Sequence, residues 1–105
     1  MARWTRSAEE RNHVSRIGGE VTQASIVMLT LKNGQRIEGA VRRFQSGNNA
    51  GIGGWQYYGE VEIEGPEARY TIDFLDIDRV DNVWEMRKDE YEKAGIIEIV
   101  DYPQS

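Results

Sequence analysis

Cysteine is absent from these 105 residues, which excludes disulfides, thiolate metal sites and a cysteine nucleophile. A reducing cytoplasmic setting suits such a chain. Histidine occurs once, at His13, in a segment that reads as a surface helix, so a solvated side chain is expected there rather than a base or a ligand. No apolar run approaches membrane-spanning length, and Met1–Arg6 lacks the apolar stretch of a signal peptide, so no membrane partner is expected. Internal repeats and low-complexity tracts are also lacking. The length suits one domain spanning 1–105, with a helical segment at 1–24, a β-barrel at 25–84 and a helix-strand extension at 85–105.

Catalytic and cofactor signatures are equally scarce. Asp73, Asp76, Asp78 and Asp81 cluster without the central Gly and terminal Glu of a calcium loop, and read as turn carboxylates. Glu60, Glu62 and Glu64 alternate too regularly for an acid/base pair tuned apart, and read as an acidic strand face that repels stray pairing or meets a basic partner. The glycine-rich stretch 45–54 is followed by no Gly-Lys-Ser/Thr and no helical pattern, so it reads as a mobile connection and not a phosphate loop. No enzyme, no metal and no cofactor are expected.

What is present begins with charge. The net charge of −5 divides unevenly: residues 1–50 carry eight Lys/Arg against four Asp/Glu, and residues 51–105 five against fourteen. Such polarity suits a basic face for an anion or contacts between subunits, and equally suits charges that interleave once folded.

The most informative stretch is Val27 to Phe44. Period-two alternation places Val27, Leu29 and Leu31 on one face of a strand, and Ile37, Gly39 and Val41 on one face of the next. A two-residue loop at Asn33-Gly34 would set Leu31 against Arg36. A three-residue loop over Lys32–Gly34, with Gly34 left-handed, pairs Leu29 with Ile37 and Val27 with Gly39, and so is preferred. Gly39 then marks a bend.

Upstream, Ser7-Ala8-Glu9-Glu10 has the form of a capping box, predicting a basic helix from Ala8 to Ile17 that stops at Gly18-Gly19, with Val14, Ile17 and Trp4 as docking residues. Downstream, Trp55, Tyr57, Gly59, Val61 and Ile63 alternate with Gln56, Tyr58, Glu60, Glu62 and Glu64. Trp55 and Tyr57 are expected in the core, with Tyr58 outside; the alternative is that these aromatics stack single-stranded bases. Tyr70, Ile72 and Phe74 mark a fourth strand, 75–78 a tight corner, and Arg79–Trp84 a fifth strand. A helix over Glu85–Ala94 capped by Gly95, then a strand-like run Ile96–Val100, completes the chain. The fold expected is mainly β: a small five-stranded SH3-like or Sm-like barrel with an N-terminal helix and a C-terminal helix plus short strand.

Leu31, Gly34, Gly39, Val41, Phe44 and Asn49 fall at positions matching the first motif of the Sm-like proteins, including the bacterial Hfq-type and archaeal members. Gln45 stands where that family usually has Asp. Arg79-Val80-Asp81-Asn82-Val83 is similar to the second motif, with Val80 in place of its glycine. The resemblance covers about residues 26–49 and 77–86. Position by position it implies single-stranded RNA contacts at Gln45, Gly47, Asn49 and Arg79, and self-association through strand edges as a homo-oligomer. Asn48 joins these as a candidate RNA contact, and the basic N-terminal helix offers Arg11 and Arg16 for phosphate attraction. Gly47 occupies the family's base-stacking position without a side chain to stack. The alternative is a protein-interaction module on the same barrel, its contact surface the acidic third strand and the C-terminal strand.

Overall fold

The computed structural model describes residues 2–49 and 55–98. In chain order the elements are α1 (Ala8–Thr22), β1 (Ile26–Leu31), β2 (Arg36–Asn48), β3 (Tyr57–Glu64), β4 (Arg69–Asp73), a 3₁₀ turn (Phe74–Asp76), β5 (Ile77–Asn82) and α2 (Trp84–Lys93). All strand pairs are antiparallel, in the order β4-β3-β2-β1-β5. The fold is mainly β, one five-stranded antiparallel sheet with two helices, and no ladder joins β4 to β5 among the described residues. No helix among the described residues is long and apolar enough to cross a membrane.

The β1–β2 hairpin has the bulged register: Leu29 lies opposite Ile37 and Val27 opposite Gly39, with Gly34 at φ +89°. Gly34 can adopt that conformation because it lacks a Cβ. Gly39 also permits a close approach, since an added Cβ would sit 3.0 Å from Ile63 Cβ and 3.1 Å from the Glu64 backbone. Alternation along β3 buries Gly59, Val61 and Ile63. Gly59 is filled from across the fold: the Phe74 ring lies so close that a Cβ there would be 2.1 Å from it.

Helix α1 runs past its expected stop at Gly18-Gly19 to Thr22. Two interior glycines cost roughly 1 kcal/mol each relative to alanine. Against this, the added turn buries Val21 completely beside Val14 and Ile17, and Gly18 lies against Phe74. These three side chains close the core formed by Val27, Leu29, Val61, Ile63, Phe74 and Ile77. The N-terminus of the helix has the expected cap, Ser7 Oγ accepting from Glu10 N–H at 3.1 Å, while Glu10 reaches back one residue further to Arg6 N–H.

On the other face of the sheet a smaller cluster joins Ile26, Ala40 and Tyr91, with Trp84, Ile96 and Ile97 packed on it. Gly95 ends α2 with φ +78°, as its sequence position predicts. Ile96–Glu98, expected as the start of a strand, has no strand pairing and instead folds back, Ile96 N–H donating to Tyr91 C=O at 3.0 Å. The rest of that run, Ile99 and Val100, lies outside the described residues, as does 50–54 of the glycine-rich loop. The earlier part of that stretch, Gln45–Asn48, is strand: β3 supplies it with partners from Gly59 and Glu60 back to Tyr57. Trp55, expected in the core, is 45% exposed because β3 begins only at Tyr57.

Candidate functional site

Between α1 and the far end of the β2–β3 ribbon lies a groove of about 390 Å³. Ser15, Gly18, Gly19 and Thr22 line its helical wall, and Ser46 and Asn48 with Tyr57 and Tyr58 its sheet wall. The Tyr58 ring lies over Gly47, where an added Cβ would be 2.8 Å from the ring. Tyr58 and Trp4 also pack in a T-shaped contact, with centroids 5.1 Å apart. The Arg11 guanidinium sits 5.9 Å from the Tyr57 ring centroid, a cation–π contact. An aromatic surface therefore covers the glycine position, supplied by the neighbouring strand.

Of the residues expected to contact RNA, Arg11 and Asn48 both meet Tyr57, but the set as a whole does not converge. Gln45 and Asn48 are exposed on β2, at opposite ends of a short segment paired with Glu60 and Tyr57. Asn49 is engaged within the fold: its Nδ2 donates to Gln56 Oε1 at 2.8 Å, its Oδ1 accepts from Gln56 N–H at 3.0 Å, and Gln56 Nε2 donates to Thr5 C=O. This clasp closes the mouth of the β2–β3 ribbon. Arg79 lies elsewhere. Thr30 pairs with both Arg36 and Arg79, so Arg79 is level with the first residue of β2 whereas Asn48 is its last. Its guanidinium bonds Asp81 at 3.1–3.2 Å. Arg16 turns to the fold as well, donating to Asp78 C=O at 3.1 Å and lying 3.7 Å from Glu20.

Charge interleaves on folding. A bulge in β2 between Val41 and Arg43 lets two consecutive arginines face consecutive outward glutamates of β3: Arg42 bonds Glu64 at 2.8 Å and Arg43 bonds Glu62 at 3.1 Å. Arg69 of β4 joins both glutamates from the other side. The acidic strand face is thus met by this chain's own arginines. Arg3 spans Asp73 and Asp76, at 3.2 and 2.6 Å, and the Asp73 hydrogen bond holds its guanidinium above its already high ordinary value. Such exposed pairs contribute little stability each, about 0–1 kcal/mol. Their consequence is electrostatic: they cancel the basic half of the sequence locally. Among the described residues, no group of three or more His, Cys, Asp or Glu side chains converges as a metal site.

Sequence patterns gave no sign of Thr5, which is fully buried and ties the N-terminal segment to β3 through Tyr57 at both N–H and C=O. His13 was expected in solvent; it is half-buried, with Nε2 2.7 Å from Ile77 C=O on β5. The two ends of the sheet then differ. Along β5, side chains of α1 occupy the Ile77 and Asp78 carbonyls. Along β4, the outer edge has no strand beside it among the described residues, and Arg69, Tyr70 and Thr71 are exposed.

No protein-family model and no curated protein matches this chain. Among solved structures, it is similar to a protein of Xanthomonas campestris whose crystal structure is described as adopting a novel variant of the Sm-like motif. The two superpose with a TM-score of 0.57 at 14% identity, over 78% of this chain and 94% of the other. The fold of this chain is Sm-like.

Proposed function

We propose that this chain is a non-catalytic assembly module on an Sm-like fold, working by strand addition at the open edge of its sheet. The observation that carries this reading is the outer edge of β4, which has no strand beside it among the described residues, on a sheet whose other edge has α1 side chains on its Ile77 and Asp78 carbonyls. An unpaired edge presents a row of N–H and C=O groups that recruits another strand. Cross-paired arginines support a protein partner over a phosphate backbone, whose binding strength depends on cations free to displace counterions.

A second reading, single-stranded RNA binding, draws on one feature: Tyr57 and Tyr58, on opposite faces of β3, both border the groove, with Arg11 over the Tyr57 ring. Light scattering with and without a short U-rich or A-rich RNA, at low and moderate salt, separates the two. Self-association indifferent to RNA supports the assembly module. A monomer that gains RNA mass, and loses it as salt rises, sinks it in favour of RNA binding.

A further inference from the structure

We infer that the strand added at β4 comes from a second copy of this chain, forming a two-fold dimer centred on Thr71; this rests on the strand-addition reading above. Strand β4 reads Arg69-Tyr70-Thr71-Ile72-Asp73. An antiparallel copy placed about Thr71 sets Arg69 opposite the second copy's Asp73, Tyr70 opposite its Ile72, and Thr71 opposite Thr71. Opposite charges, an aromatic with a β-branched residue, and Thr with Thr are all favourable cross-strand pairs. Sliding the register by two residues removes both charge pairs.

Side-chain faces agree with this arrangement. Arg69, Thr71 and Asp73 lie opposite Glu64, Glu62 and Glu60 on the outer face, whereas Tyr70 and Ile72 lie opposite Ile63 and Val61 on the core face. Two copies joined at Thr71 therefore continue the polar and apolar faces across the seam. The 39% exposed Tyr70 gains an apolar neighbour there.

Backbone polarity agrees too. Gly65 N–H donates to Ala68 C=O at 2.9 Å, closing the β3–β4 turn. In an antiparallel ladder, alternate residues bond toward the same neighbour. Tyr70 and Ile72 therefore bond to β3, and Arg69, Thr71 and Asp73 turn their N–H and C=O groups outward. These are the residues whose backbones a two-fold partner about Thr71 needs. Arg69 already meets Glu62 and Glu64, and Asp73 already meets Arg3, so the charges across the seam set register more than strength.

Symmetry follows from the opposite edge. A head-to-tail contact, β4 of one copy on β5 of the next, would propagate into a ring or filament. On β5 that partner would have to displace His13 and Arg16 from the Ile77 and Asp78 carbonyls. It would also have to pass Glu20, Gln23 and Ala24, which face Val80 and Asn82 across a cleft of about 230 Å³. On β4 no side chain has to be displaced, although Leu31, Lys32 and Asn33 face Thr71–Asp73 across a cleft of about 460 Å³, and the self-complementary contact there closes after two copies.

The chain has no native cysteine, so Thr71→Cys gives a single reporter. Directly opposed hydrogen-bonded residues have Cα atoms about 5.5 Å apart, within disulfide reach. The expected result is a species of twice the 12.0 kDa chain mass by light scattering, with T71C cross-linking to a covalent dimer under mild oxidation. Thr71→Pro removes the outward N–H while sparing the β3 ladder; it should give a folded monomer by circular dichroism and mass. A larger oligomer in which T71C fails to cross-link overturns the two-fold dimer and leaves strand addition standing. A monomer across the concentration range, with no T71C dimer, overturns both.

Discussion

The two helices are attached to the same sheet by different chemistry. Helix α1 docks through three aliphatic side chains, Val14, Ile17 and Val21, each at most 3% exposed. Helix α2 buries one residue, Tyr91, whose hydroxyl donates to Glu38 at 2.9 Å beside an Arg87–Glu38 pair at 3.0 Å. Burial of apolar surface is non-directional and grows with area, whereas the buried Tyr91 ring, packed on Ile26 and Ala40, carries in addition a polar tip that must reach its acceptor. The first helix is therefore part of the core, and the second is a tethered cover.

That contrast can be broken most severely from the α1 side. Ile17→Ala should lower stability by about 2–5 kcal/mol, as for other large-to-small changes in a packed core. Chemical denaturation monitored by tryptophan fluorescence measures the loss, and a cost below that of Tyr91→Phe would undo the contrast. Next in size, Gly59→Ala drives a methyl group into the Phe74 ring under α1, and overpacking of this kind costs about 1–3 kcal/mol. The same denaturation curve should shift to lower midpoint with little change in slope.

On the α2 side, Tyr91→Phe should cost about 1 kcal/mol near neutral pH, the net worth of one hydrogen bond. Its sharper signature is alkaline. Burial first, and then the Glu38 hydrogen bond, push the Tyr91 phenol above its ordinary value of 10.0. Above pH 10 the unfolded chain releases this proton while the folded chain retains it, so stability falls as pH rises. A stability-pH profile of Tyr91→Phe should be flatter than wild type above pH 10, and parallel profiles would contradict the assignment. The smallest effect has the opposite sign. Gly19 is mid-helix with nothing within 4 Å of an added Cβ, so Gly19→Ala should raise stability by about 0.5–1 kcal/mol. A thermal melt that moves downward instead would show that Gly19 is needed for contact.

The same division explains what could be read from sequence. The hairpin register was legible because Asn33-Gly34 and period-two alternation constrain it locally, and Gly95 as a cap was legible for the same reason. The end of α1 was not, because two glycines argue locally for a stop while Val21 and Phe74, distant in sequence, decide otherwise. Strand β2 ran on to Asn48 because its ladder to β3 supplies what Gln45–Asn48 lack in propensity. At the site, arginines that looked available in a basic half are matched by carboxylates such as Glu64 and Asp73, far along the chain. Asn49 looked like a ligand contact, and Gln56 makes it a clasp. The symmetry of Arg69-Tyr70-Thr71-Ile72-Asp73 was visible in the letters, but its meaning required knowing that β4 is the outermost strand.

One consequence of the strand order concerns the nascent chain. Strand β1, Ile-Val-Met-Leu-Thr-Leu from Ile26 to Leu31, lies between β2 and β5, and β5 is the last of the described strands to leave the ribosome. At roughly 5–20 residues per second, β1 keeps one open side for a few seconds after the hairpin can form. A short apolar β-rich segment without charge is the sort that pairs with the wrong chain. A strand enclosed on both sides in the finished sheet is thus open to foreign partners while the protein is being made.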